Sequence, residues 1–216
     1  MLENGNNFTT YNNYDGIDEI PYAIIEWLLR NKSDVAENFW KCLYYPTDDA
    51  LDQPNLTTEQ KRSIINVNEP LTNNFKVFFA PLISDNMITA NDMIQMRLFR
   101  YSIVPQDTYH ALLLFEFDLY TNDKSSNIIR HGIHGDFPAE RTDYMETCLL
   151  NLLNGRDCGF GYGNFQFNRE LSTYSKSTVS INNSKAFWGR SFMLGLRYTK
   201  TDGGDCLAKE GWHWTI

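Results

Sequence analysis

The sequence predicts an α+β fold: an antiparallel or mixed β-sheet with helices packed on one face, plus extended arms. Two observations carry that prediction. Apolar residues recur at helical spacing in two stretches near the N-terminus and in one long stretch past the middle of the chain. Between them lie two facing runs that alternate apolar and polar residues, the signature of strands with one buried face. The resulting order is helices, strand, hairpin, long helix, then strands. With 216 residues, 42% of them hydrophobic, the chain has enough apolar material for one core, which excludes wholesale disorder.

Residues 1–15, rich in Asn, Tyr and Gly, read as a flexible N-terminal arm. Asp18 then stands as the cap of a first helix, with Pro21 in its first turn and Ile24, Ile25, Leu28 and Leu29 along one face. Ser33 or Asp34 starts a second helix, which buries Val35, Ala36, Phe39, Trp40 and Leu43 and ends before Pro46. The short Asn31-Lys32 link favours a helical hairpin. After a loop at 46–56, Thr57 and Gln60 form a capping-box pattern for a short helix ending near Ile65.

Phe75 to Phe79 reads as a strand because it is rich in β-formers. Ile94, Met96 and Leu98 alternate with Gln95 and Arg97, and the run continues to Val104. A turn at Pro105-Gln106-Asp107 leads to a returning strand, His110 to Tyr120, where Phe115, Phe117 and Leu119 alternate with Glu116 and Asp118. Thr121 to Gly135 reads as a polar loop. Asp136 is the expected cap of a helix with Pro138 in its first turn, an apolar stripe from Tyr144 to Leu153, and Gly155 just past its end. Phe165 to Phe167 and Phe187 to Tyr198 complete the strands, with a projecting loop at 168–185 between them. Residues 16–200 form a single domain on this reading, and 201–216 a C-terminal tail whose Trp212 and Trp214 dock on its own core or on a neighbour.

Composition bounds the function. The formal net charge of -8 argues against a general nucleic-acid binder, which concentrates Lys and Arg to displace phosphate counterions. The N-terminus has no basic and apolar regions of a secretory signal, and the most apolar run, Ala111 to Phe115, is far shorter than the roughly 20 residues of a membrane span. A soluble protein made in a cytoplasm, with no membrane partner, is the expectation. Cys42, Cys148, Cys158 and Cys206 form no CxxC pair, and Cys42 and Cys148 are expected to be reduced core residues.

Three constellations have residue types that could carry chemistry. His131 and His134 with Asp136 have the spacing of a metal pair only on a helix, and Gly132 and Gly135 favour a loop instead. Glu116 and Asp118 share a strand face roughly 7 Å apart, a separation suited to acid–base work, but the simpler reading is the solvated side of a half-buried sheet. The glycines from Gly155 to Gly163 lack the order of a phosphate loop and read as a helix stop and tight loop. No catalytic residue, metal site or cofactor is therefore expected.

One set of words resembles a known family. Tyr45-Pro46-Thr47-Asp48-Asp49-Ala50-Leu51, Phe78-Phe79-Ala80-Pro81, Met96-Arg97-Leu98-Phe99, Ile103-Val104-Pro105 and Phe115-Glu116-Phe117-Asp118 are similar to stretches of neck or tail-terminator proteins of tailed bacteriophages. The resemblance covers roughly residues 20 to 200 and contains no catalytic signature. It implies a structural virion protein that forms a ring with copies of itself, a hexamer or a dodecamer, at the head–tail junction. Such a ring caps the tail tube, meets head-side neck proteins, and passes DNA through its lumen without binding it. The acidic balance fits a lumen lined by carboxylates, with Glu116, Asp118, Asp202 and Asp205 as the residues expected there. Tyr11, Tyr14, Trp188, Trp212 and Trp214 are the expected intersubunit contacts. Two other classes stay open on the sequence: a carboxylate-dependent hydrolase, and an adhesion or decoration module on the virion surface.

Overall fold

The computed structural model describes residues 17–67, 75–80, 94–106, 110–156, 158, 164–167 and 187–199. Helices α1 (Ile20–Arg30), α2 (Asp34–Tyr44), α3 (Thr58–Ser63) and α4 (Arg141–Leu153) accompany strands β1 (Val77–Phe78), β2 (Ile94–Pro105), β3 (His110–Asn122), β4 (Asn127–Gly132), β5 (Gly135–Glu140), β6 (Phe165–Phe167) and β7 (Phe187–Thr199). The main sheet has the order β1-β2-β3-β7-β6, and β4 and β5 form a separate two-stranded ribbon. Only β1–β2 is parallel within the main sheet, so the sheet is mixed and the fold is α+β, as expected.

The long central strand β3 organises the core. Its register sets Phe117 between Leu98 of β2 and Phe192 of β7, and sets Leu113 and Phe115 beside Leu196 and Leu194. The Phe117 and Phe192 rings stack at 5.0 Å. This side of the sheet receives the buried stripes of the helices: Ile24, Leu28, Phe39, Trp40, Leu43, Met145, Leu149 and Leu153 join one continuous apolar cluster with the strand residues. At Gly189 of β7 any side chain would meet the carbonyl oxygen of Leu119 at 1.7 Å, so only glycine lets the two strands approach there.

Local signals explain most element ends. The Ser33 hydroxyl accepts the Ala36 N–H at the start of α2, and Thr57 and Gln60 make both bonds of the expected capping box. Lys61, fully buried, donates to both carboxylate oxygens of Glu37 at 2.7 and 2.8 Å and thereby ties α3 to α2. Gly155, with φ 72°, takes the left-handed conformation that stops α4, and its N–H then bonds the Phe165 carbonyl of β6.

Three expectations are corrected. Asp18 does not cap α1: a 3-10 turn, Ile17–Glu19, precedes the helix, Glu19 holds the cap position without a side-chain bond, and Asp18 pairs instead with Arg100 of β2. The polar loop at 121–135 and the Asp136 cap give way to the tail of β3, a 3-10 turn and the β4–β5 hairpin, and α4 begins only at Arg141. Pro138 fits both arrangements, because a missing N–H is tolerated in a helix's first turn and in a strand of a two-stranded ribbon. The strand at 75–79 is likewise shorter than expected. The arm at 1–15, the loop at 168–185 and the tail at 201–216 lie outside the described residues.

Candidate functional site

The side of the main sheet away from the helices carries a cluster of polar side chains. Alternation along β3 puts Glu116, Asp118 and Tyr120 there, and the register brings Arg97 of β2 and Ser191 of β7 to either flank of Asp118. Gln95 stands across from Tyr120, and Met193 across from Glu116. The Arg97 guanidinium lies 3.4 Å from Asp118 Oδ2, and the Tyr120 hydroxyl donates to the same oxygen at 3.3 Å. Arg97 also donates to that hydroxyl and sits 4.3 Å from the centre of the Tyr120 ring. The Ser191 hydroxyl donates to Glu116 Oε1 at 2.8 Å.

These groups are not the solvated face expected of them. Gln95, Arg97 and Asp118 are 2%, 8% and 5% exposed, and Ser191 is buried as well. Alternation distinguishes two sides of a strand but does not say that the second is open to water. Two carboxylates therefore face one described guanidinium in a desolvated setting. Burial, followed by the Asp118 carboxylate, pushes Glu116 above the usual glutamate range, against the opposing bond from Ser191. Burial also pushes the Tyr120 hydroxyl up. Asp118 Oδ1 and Gln95 Oε1 have no hydrogen-bond partner among the described residues. Chemically, Asp118 is an ion-pair anchor, and Glu116 is a carboxyl group that releases its proton less readily than a free glutamate.

A second group sits on the β4–β5 hairpin. His131 Nδ1 lies 2.7 Å from Asp136 Oδ1, and its Nε2 lies 2.7 Å from Asp52 Oδ1. Both ring nitrogens are thus engaged by carboxylates, and His134 stands apart in the two-residue turn. Among the described residues no three His, Cys, Asp or Glu side chains converge as metal ligands.

A third group was invisible in the sequence. Arg141, fully buried, donates to the carbonyls of Ser125, Cys42, Tyr45 and Thr47 at 2.6 to 2.8 Å, and to those of Pro46 and Asn127 at 3.3 Å. It fills the carboxyl end of α2, where helix carbonyls are unsatisfied and the dipole favours a cation. Burial pulls its pKa down. No local pattern marks Arg141 as buried, because its partners come from residues 42–47 and 125–127. Cys42 and Cys148 are buried free thiols as expected, each pushed up to about 12 chiefly by burial.

Of the residues expected at intersubunit contacts, Trp188 falls on β7 opposite Thr121. Tyr11, Tyr14, Trp212 and Trp214 lie outside the described residues, as do Asp202 and Asp205. No helix among the described residues is long and apolar enough to cross a membrane.

The model of one protein family, YomW, matches residues 36–194, a span that runs from α2 into β7 and contains all of the central sheet but the last five residues of β7. The chain belongs to the YomW family. YomW proteins are a family derived from Bacillus phages, the SPbeta-like prophages, which makes this a phage-related protein. No curated protein and no solved structure matches the chain. All three groups of polar residues fall within the YomW match.

Proposed function

We propose that this YomW-family protein is a structural component of a tailed-phage particle, a subunit of a ring at the head–tail junction that caps the tail tube and joins it to the head. The observation that carries the reading is the match to a phage-derived family across residues 36–194, which spans all of the words that resemble neck and tail-terminator proteins. The use of the polar groups agrees with it. Arg97 and Asp118, Lys61 and Glu37, and the carbonyl-bound Arg141 hold secondary-structure elements to one another. Such internally matched charges suit a subunit whose task is to keep its shape.

A bore that passes DNA needs negative charge that reaches solvent. Asp118 is engaged by Arg97 and Tyr120, and Glu116 accepts from Ser191, so both carboxylates are matched inside the subunit and not free to face a lumen. In the ring we propose, repulsion of DNA falls mainly to other acidic residues, Asp202 and Asp205 included.

The test is deletion of the gene from the phage, with imaging of the particles and light scattering of the purified protein. Separated heads and tails, or tails of uncontrolled length, together with a symmetric ring at the neck of wild-type particles, are expected. Normal particles after deletion, with no copy of the protein in the purified virion, would overturn the proposal.

A further inference from the structure

The β4–β5 hairpin is fastened to the rest of the chain at two levels. At its base Arg141 binds the carbonyls of Ser125 and Asn127, and the Ile129 N–H donates to the Asp48 carbonyl at 2.8 Å. Farther out, two side chains of β4 reach the body: Arg130 lies over the Tyr144 ring of α4 at 4.4 Å, and His131 reaches Asp52. Asp136 is the cross-strand partner of His131 within the hairpin, whereas Asp52 belongs to the 3-10 turn Ala50–Asp52. The hairpin turn itself is open: Ile133 is 100% exposed, and Gly135 adopts φ 111° to close it.

The proton count at His131 follows from the geometry. Two carboxylate oxygens lie 2.7 Å from the two ring nitrogens. A neutral imidazole has one N–H, and its other nitrogen is an acceptor that repels a carboxylate. Only the imidazolium serves both partners. We propose that His131 is a proton-operated latch between the hairpin and the 50–52 turn, closed when the ring is charged and released at Asp52 when it is neutral. The strand register keeps Asp136 opposite His131 whatever the ring's charge, so the single remaining N–H stays with Asp136 and the Asp52 contact is the one lost. The inference stands apart from the ring reading.

The surrounding charges agree. On the facing turn Asp49 accepts from Gln53 at 2.7 Å, and on β4 Arg130 stacks on Phe137 and Tyr144, so Asp52 and Asp136 are the charges that act on the ring. Their hydrogen bonds, Asp136 first and then Asp52, raise the His131 pKa above the ordinary histidine value. The latch therefore opens as pH rises through that raised value. Because the ring is exposed, salt weakens it.

The experiment is a pH series from 5 to 9 at low salt on the whole chain, following the His131 ring by NMR and the β4–β5 amides by hydrogen exchange corrected for intrinsic rate. Protection of the outer hairpin amides is expected to fall about two- to fivefold, with the midpoint of the His131 titration, as fits the loss of one exposed charge pair. Asp52→Asn keeps the fold, lowers the His131 midpoint, and makes hairpin protection independent of pH. His134→Gln leaves the effect unchanged. Hairpin protection that stays flat while His131 titrates, or a His131 midpoint unmoved by Asp52→Asn, would overturn the latch.

Discussion

The two sides of β3 solve burial in opposite ways. On one side Phe115, Phe117 and Leu119 pack against the helices and are wholly buried. On the other, one residue out of step, Asp118 is 5% exposed and Tyr120 2%, yet the side chains are polar. The apolar side is held by area removed from water, which tolerates any well-shaped neighbour. The polar side is held by specific partners, and a group there is stable only while its partner remains. Adjacent residues of one strand thus differ in what a substitution costs and in how that cost depends on pH.

Removing Phe117 tests the apolar side and has the largest expected effect. Its ring touches Phe192 and lies between Leu98 and Phe192 in the register. Phe117→Ala is expected to lower unfolding free energy by about 3 to 5 kcal/mol, through lost transfer energy and the cavity left behind. Urea denaturation measures it, and a loss below that of a typical surface substitution would mean that the sheet–helix core is looser than described.

Asp118→Ala tests the polar side. It leaves the buried Arg97 guanidinium without its carboxylate and costs about 3 kcal/mol. The comparison sharpens with the double variant Arg97→Met, Asp118→Leu, which removes both charges and is expected to recover most of that loss. If the double variant is less stable than Asp118→Ala alone, the polar side is not a charge-matched pair.

How much of this was legible beforehand depends on how far apart the partners lie in the chain. Caps at Ser33 and Thr57 depend on a residue three positions away, and the stop at Gly155 on its own backbone, so a local pattern shows them. The β2–β3 hairpin was readable because each run alternates. Asp18 and Asp136 were misread as caps for one reason: an acidic residue ahead of a proline fits a helix start, and only tertiary structure reveals that Arg100 and His131 claim them. The site followed the same rule. Glu116 and Asp118 were placed on a common face from their spacing, while Arg141, with partners 95 residues away at Pro46, left no local trace.

The smallest effect is the most diagnostic. Glu116 is half-buried beside Asp118, and burial first, then that carboxylate, raises its pKa from the ordinary 4.5. The native state then holds this proton more tightly than the unfolded chain does. Its contribution to stability is fully present below the ordinary glutamate value and is lost as pH rises through the raised native value. Glu116→Gln keeps an oxygen that accepts the Ser191 hydroxyl but cannot ionise. The variant should match the wild type in acid and become the more stable of the two toward neutral pH, with the difference opening from about pH 4.5 upward. Subtracting the two stability curves cancels the titration of groups that do not interact with Glu116, the His131 latch included. A difference that does not change with pH would show that Glu116 titrates as a surface carboxylate does, and that the polar side of β3 is open to water after all.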